Sequence, residues 1–151
     1  MKVVLDTNVI VSAYLFGGRP FDLLRLAEQG TIEVLTSEDA LSELLRVLRR
    51  DKFSERLQEL GMTPDDVVSS FSDVAVSIVS VDDVETCEDS DDNLFIGIAL
   101  AGEADFVVSG DRHLLGCSAR SPVAVLRISE FLALLQGVSQ NAGSDVEDRE
   151  G

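Results

Sequence analysis

Four carboxylates stand where a fold could put them to chemical use: Asp6, Glu43, Asp92 and Asp111. Asp111 follows the β-branched and aromatic run Phe106-Val107-Val108 and the break Ser109-Gly110, so it falls on a loop just past a predicted strand. Asp6 follows Lys2 to Leu5 in the same way, ahead of Thr7 and Asn8. In open α/β sheets, ligands bind in the crevice beyond the carboxyl ends of the strands. Asp92 begins a predicted helix and Glu43 lies on another, so all four acids can converge on that crevice. Crowded carboxylates raise each other's pKa values, whereas a divalent cation reverses that logic and keeps them ionised. With neither histidine nor cysteine in the group, the fitting ions are hard ones, Mg²⁺ or Mn²⁺, with waters completing the octahedron. Such an ion activates water as a nucleophile and stabilises charge on a phosphodiester and its leaving group.

Each acid also has a plain structural use. Asp92 would serve as a helix cap, Asp6 and Asp111 as turn residues, and Asn8 as a partner for its own backbone. Thr7 and Ser109 read as turn hydroxyls that can also orient a carboxylate or a metal-bound water. Arg112 and His113 read first as surface residues, with substrate contact the lesser option for Arg112. Two other chemistries that use a strand-end aspartate do not fit. A haloacid-type phosphatase needs a second aspartate two positions on, where this chain has Asn8. Such a phosphatase or a receiver domain also needs a lysine at a later strand end, and neither Lys2 nor Lys52 is so placed. Gly17-Gly18 precede no phosphate-loop pattern.

The elements that must position these acids alternate between strand and helix. Strands are expected over 2–5, 32–35, 76–81, 106–108 and 123–128. Helices are expected over 9–16, 20–29, from the Ser37 cap to about Arg50, as two short pieces within 53–75 parted by Gly61 and Pro64, over 94–100 before Gly102, and from a Ser129 cap to Gln136. Thr63 is a plausible cap of the second short piece, and 82–92 is an acid-dense loop. This alternation predicts an α/β fold with a central, mostly parallel sheet. In the helix after Ser37, Leu41, Leu44, Leu45 and Leu48 form one apolar stripe. Glu43 shares a flank with Ala40 and Val47, so its phase allows it either to turn into a crevice or to pair outward with Arg46 or Arg50. Periodicity likewise does not choose between Asp91 and Asp92.

The 151 residues fit one domain, read as 1–136 followed by an acidic tail, 137–151, that is expected to be disordered. No apolar run approaches a membrane span and no signal peptide is evident, so the chain is expected to be cytosolic. Cys87 and Cys117 match neither a zinc spacing nor a disulfide framework.

The motifs together resemble the PIN-domain family of metal-dependent ribonucleases, especially prokaryotic members described as toxins of type II toxin-antitoxin pairs. VVLDTNVIVSA resembles that family's opening strand with its first acid, SELLRVL its helix with the second, and DDNLFIGIALAGEADFVVSGDRHLL its third and fourth. The resemblance covers nearly all of the chain to about Gln136. It implies a three-layer α/β/α fold in which Asp6, Glu43, Asp92 and Asp111 bind one or two Mg²⁺ or Mn²⁺ ions. It also favours the inward reading of Glu43, Asp92 over Asp91, and support of the acids by hydrogen bonds from Thr7, Asn8 and Ser109. The implied activity is hydrolysis of RNA by a metal-activated water, with a cognate antitoxin and a homodimer as partners. A non-catalytic PIN-like binding module is the rival from another class, and a structure-specific DNA nuclease ranks third because no clamp for duplex DNA is evident.

The formal net charge is −16, of which only −3 lies in residues 138–151. So acidic a chain is disfavoured for general RNA binding, which usually rests on Lys and Arg contacts to phosphate, although Arg19, Arg25, Arg46, Arg49, Arg50 and Arg112 offer a local basic rim. The acidity is consistent with simple solubility or with adaptation to high salt, where counterions screen self-repulsion. On the second reading Tm rises between low and multimolar salt; a thermal melt showing no rise counts against it.

Overall fold

Val3, Val4 and Leu5 form a short run with both faces apolar, as suits a strand buried between two helical layers. In the computed structural model, which describes residues 1–79, 90–117, 119 and 121–137, that run is the centre of the sheet. The chain runs β1 (Lys2–Leu5), α1 (Thr7–Phe16), α2 (Arg19–Glu28), β2 (Glu33–Thr36), α3 (Glu38–Leu48), a 3-10 turn (Asp51–Phe53), α4 (Ser54–Leu60), α5 (Pro64–Val74), β3 (Ala75–Ser77), α6 (Ser90–Ala101), β4 (Phe106–Val108), α7 (Arg112–Gly116) and β5 (Ala124–Leu126). A last helix, α8, covers 128–137.

Among the described residues five strands lie in the order β3-β2-β1-β4-β5, and each of their pairings is parallel. Val4 of β1 sits level with Leu35 on one side and Val107 on the other. Because side chains alternate along a strand, Val3, Leu5, Val34 and Val108 join α1, α2, α3 and α5 in one core. Val4, Leu35 and Val107 pack with α6 residues Phe95, Ile96, Ile98 and Ala99 in the other. The result is the expected three-layer α/β/α fold. From β1 the chain first builds toward β2 and β3, then returns to place β4 on the opposite flank, so the strand order reverses between β1 and β4. That is the point at which open α/β sheets leave a crevice.

Several local expectations change. The buried face of α3 is Ala40, Leu44, Val47 and Leu48, with Leu41 and Leu45 only half-buried; the leucine stripe is rotated because α3 packs on α1, α5 and α6 together. The strand expected over 76–81 is Ala75–Ser77, and Val79 is exposed; residues 80 and 81 lie outside the described part. The last strand stops at Leu126, with Ile128 already helical, so Ser129 lies inside α8. The capping contact there is Glu130, whose carboxylate accepts from the Arg127 backbone N–H at 3.1 Å. α7 was not expected, since five residues carry no periodic signal. Cys117 is buried and disulfide-bonded, although the two cysteines match no disulfide framework in sequence; a single cysteine pair carries no spacing signal, and Cys87 lies outside the described residues. Disulfides are uncommon in a reducing cytosol outside hyperthermophiles. Among the described residues no helix is long and apolar enough to cross a membrane.

The helix stops at Gly102 as expected, α6 ending at Ala101, but the glycine has a second job. The left-handed residue after α6 is Glu103, at φ 55°. A Cβ at Gly102 would overlap Leu35 Cδ1 and lie 3.1 Å from Ile78 Cδ1 and 3.3 Å from the Ile98 carbonyl. The glycine therefore lets the end of α6 settle onto β2. Gly102→Ala is expected to destabilise the fold by about 1–3 kcal/mol through overpacking, read as a lower urea midpoint; an unchanged midpoint would show that Leu35 moves aside freely.

Candidate active site

Asp6 leaves β1 with extended backbone (φ −71°, ψ 165°) and caps α1, one carboxylate oxygen accepting from the Val9 N–H at 2.9 Å. The structural use of this residue is thus a helix cap rather than the turn expected for it, and it consumes one oxygen. The other accepts a hydrogen bond from the Ser109 hydroxyl. Ser109, fully buried at the end of β4, in turn accepts at Oγ from the Asp111 backbone N–H at 2.9 Å. One hydroxyl thus joins the two strand-end acids. Backbone contacts fix the pair from both sides: the Asp6 N–H donates to the Val108 carbonyl at 3.1 Å, and the Ser109 N–H to the Leu126 carbonyl at 2.9 Å. The Leu115 N–H donates to the Asp111 carbonyl at 3.0 Å, which sets Asp111 at the head of α7.

Glu43 takes both of the options its helical phase allowed. The rotated core face carries it inward, where one carboxylate oxygen accepts from the Thr7 hydroxyl at 3.1 Å, and the other lies 3.5 Å from Arg46 Nη2. Its side chain is 12% exposed against 58% for Arg46, so the arginine stands at the rim and the acid within. Thr7 ties the start of α1 to the middle of α3, and hence Glu43 to the neighbourhood of Asp6. Asn8 is exposed, and its recorded contribution is a backbone N–H toward Asp6. Arg112 is exposed in the first turn of α7. The backbone of α6 begins at Ser90, so Asp91 and Asp92 both fall in its first turn, and α6 packs on β1, β4, β2 and α3. The choice between their side chains, like His113, lies outside the described residues.

Burial pushes the Asp6 carboxyl up to about 6; the nearby charge of Asp111 adds to this, while hydrogen bonds from Ser109 and from the Val9 and Asn8 N–H groups pull it back. A desolvated carboxylate beside a second one is a site short of positive charge. In donor type, Asp6, Glu43 and Asp111 suit a hard divalent ion. Among the described residues no three acid, histidine or cysteine side chains are gathered closely enough to hold one ion by themselves. What sequence reasoning missed here is the backbone share of the site, the Val108 and Leu126 carbonyls, which no side-chain motif advertises.

A family model described as PIN domain matches residues 2–113. An uncharacterized protein of Methanocaldococcus jannaschii, MJ1680, is 32% identical over 116 residues, covering 76% of this chain and 74% of its own. Among solved structures, the fold is similar to a chain in the crystal structure of VapBC2 from Rickettsia felis bound to a DNA fragment from their promoter. That match has 17% identity and a TM-score of 0.56 over 84% of this chain and 98% of that one.

The raised Asp6 pKa has a definite sign. An acid whose folded pKa exceeds its unfolded value binds more protons when folded between the two values. Its destabilising effect therefore grows as pH rises from about 4 to about 6 and is complete above that. In metal-free buffer Asp6→Asn is expected to be more stable than the parent near neutral pH, by up to about 3 kcal/mol. The gap should close toward about pH 4. Urea denaturation of both proteins across this range checks it; a gap that fails to widen with pH would contradict the assignment.

Proposed function

The chain belongs to the PIN-domain family, and from that premise we propose that it is a divalent-metal-dependent endoribonuclease, the toxin of a toxin-antitoxin pair. The observation that carries the proposal is the pair of strand-end acids, Asp6 and Asp111, joined through Ser109 at the reversal of strand order. Asp6, Glu43, Asp92 and Asp111 are the residues proposed to hold Mg²⁺ or Mn²⁺. When bound, such an ion supplies a water nucleophile at neutral pH and charge stabilisation for the phosphodiester. Ser109 holds the Asp6 carboxylate in one orientation and keeps Asp111 at a fixed offset from it. Thr7 does the same for Glu43. Thr7, Val108 and Ser109 are buried with Asp6, so its charge is poorly screened by water and acts more strongly within the site.

The likeness to a VapBC2 chain supports the toxin role and an antitoxin partner, and the proposal includes a homodimer. Arg112 at the head of α7 is assigned to RNA contact. The competing reading, a non-catalytic binding module, draws on the three described acids not being gathered around one point. Incubation with a mixed RNA pool and Mn²⁺ or Mg²⁺, in low and high salt, separates the two. Cleavage is expected from the parent, with loss of at least about a hundredfold in Asp111→Asn or Asp92→Asn if each removes charge acting on the transition state, and complete loss with a chelator. No cleavage by folded parent under any of these conditions would favour the binding module.

A further inference from the structure

The chain is short of cations, yet Arg46, Arg49, Arg50 and Lys52 place four of its twelve basic residues within seven positions, opposed there only by Asp51. All four are exposed. Resting on the nuclease reading above, we infer that they form a phosphate track that holds single-stranded RNA where it enters the acidic crevice.

The track begins at the site itself. Arg46 touches Glu43 at 3.5 Å with 58% of its side chain open, Arg49 caps the end of α3 three residues beyond it, and Arg50 follows as the chain leaves the helix. The positive charges therefore start at the rim and lead away from the acids. A helix end attracts cations, which accounts for Arg46 in the last turn. It accounts less well for Arg50, whose backbone is already extended (φ −65°, ψ 140°), and for Lys52 in the following 3-10 turn, set over the Phe53 ring at 4.9 Å. Among the described residues neither Arg49 nor Arg50 has a carboxylate within ion-pair distance. Folding does not consume their charge, and guanidinium groups present a fork suited to phosphate oxygens.

Arg25, also of the expected rim, and Arg56, which was not part of it, are placed differently. Arg25 lines a groove of about 600 Å³ with Met1 and Thr31, which precede β1 and β2. It is at the amino end of the sheet, opposite the site. Arg56 is engaged with the Leu15 carbonyl at 2.7 Å and with Glu59 at 3.0 Å. An RNA strand passing the crevice would otherwise meet a surface dominated by acids, so a few cations at its mouth decide which way the strand approaches. Single strands suit the arrangement because they bend into a crevice with their bases unpaired.

Arg46 is left intact in the test because it contacts Glu43. Anisotropy titrations of a labelled, mixed-sequence single-stranded RNA, with Ca²⁺ replacing the working metal, compare the parent, Arg50→Gln, Arg49→Gln/Arg50→Gln and Arg25→Gln. The double variant is expected to bind about tenfold more weakly at low salt, with the slope of log K against log[salt] reduced by about 1.4 for two lost contacts, and the single variant by about half that. In cleavage with Mn²⁺, KM should rise and kcat stay near the parent value, while Arg25→Gln should match the parent throughout. A parent that cleaves RNA, beside a folded double variant with unchanged affinity, slope and KM, would overturn the track and leave the nuclease reading standing. A larger loss for duplex DNA than for single-stranded RNA would also overturn it. A parent that neither binds nor cleaves RNA would overturn both.

Discussion

The side-chain hydroxyl of Ser109 is the contact on which the site depends. It donates to Asp6, which closes β1, and accepts from the N–H of Asp111, which lies beyond β4. Neither acid is near the other in sequence, so the geometry of the pair is inherited from parallel pairing of β1 with β4. The hydroxyl then fixes what strand pairing leaves loose, namely the direction of the carboxylate. Its energetic context explains why it must be buried. A hydrogen bond in a dry setting is stronger than one in water, and here it offsets part of the desolvation that raises the acid. Thr7 plays the matching part for Glu43, so each inward acid is oriented by a hydroxyl from a different element.

Much of the fold was legible because the physical signals were local. Apolar runs ending in polar turns marked β1 and β4, and Ser37 and Thr63 cap their helices as their side chains allow. Other features depend on packing partners that a single helix or strand cannot announce. The buried face of α3 is set by three neighbours at once, which rotates it away from the leucine-rich stripe. Gly102 does stand where α6 stops, but its close approach to Leu35, a residue far away in sequence, could not be read locally. Ser129 has the right chemistry for a cap, but α8 starts earlier and Glu130 makes the contact instead.

The site followed the same division. Asp6 and Asp111 could be placed from strand ends alone, because topology decides where strand ends meet. Glu43 could not, since its phase was compatible with two environments, and the structure has it in both: one oxygen on Thr7 and the other facing Arg46. Net charge hid a second pattern. A total of −16 describes the whole surface, whereas an approaching polyanion responds to local potential, and that differs between the end of α3 and the rest.

The central position of β1 also governs when the crevice comes into being. β1 leads the chain, but the strand that completes its other edge ends at Val108. On a ribosome adding about 5–20 residues per second, roughly 5–20 s separate synthesis of the two edges. During that interval β2 can pair with β1, while the Asp6 carboxylate remains solvated with no second strand-end acid beside it. About a hundred residues must follow Asp6 before Ser109 can reach it. The growing polypeptide thus carries Asp6 as an ordinary solvated carboxylate, and the crevice comes into being only once β4 has been made.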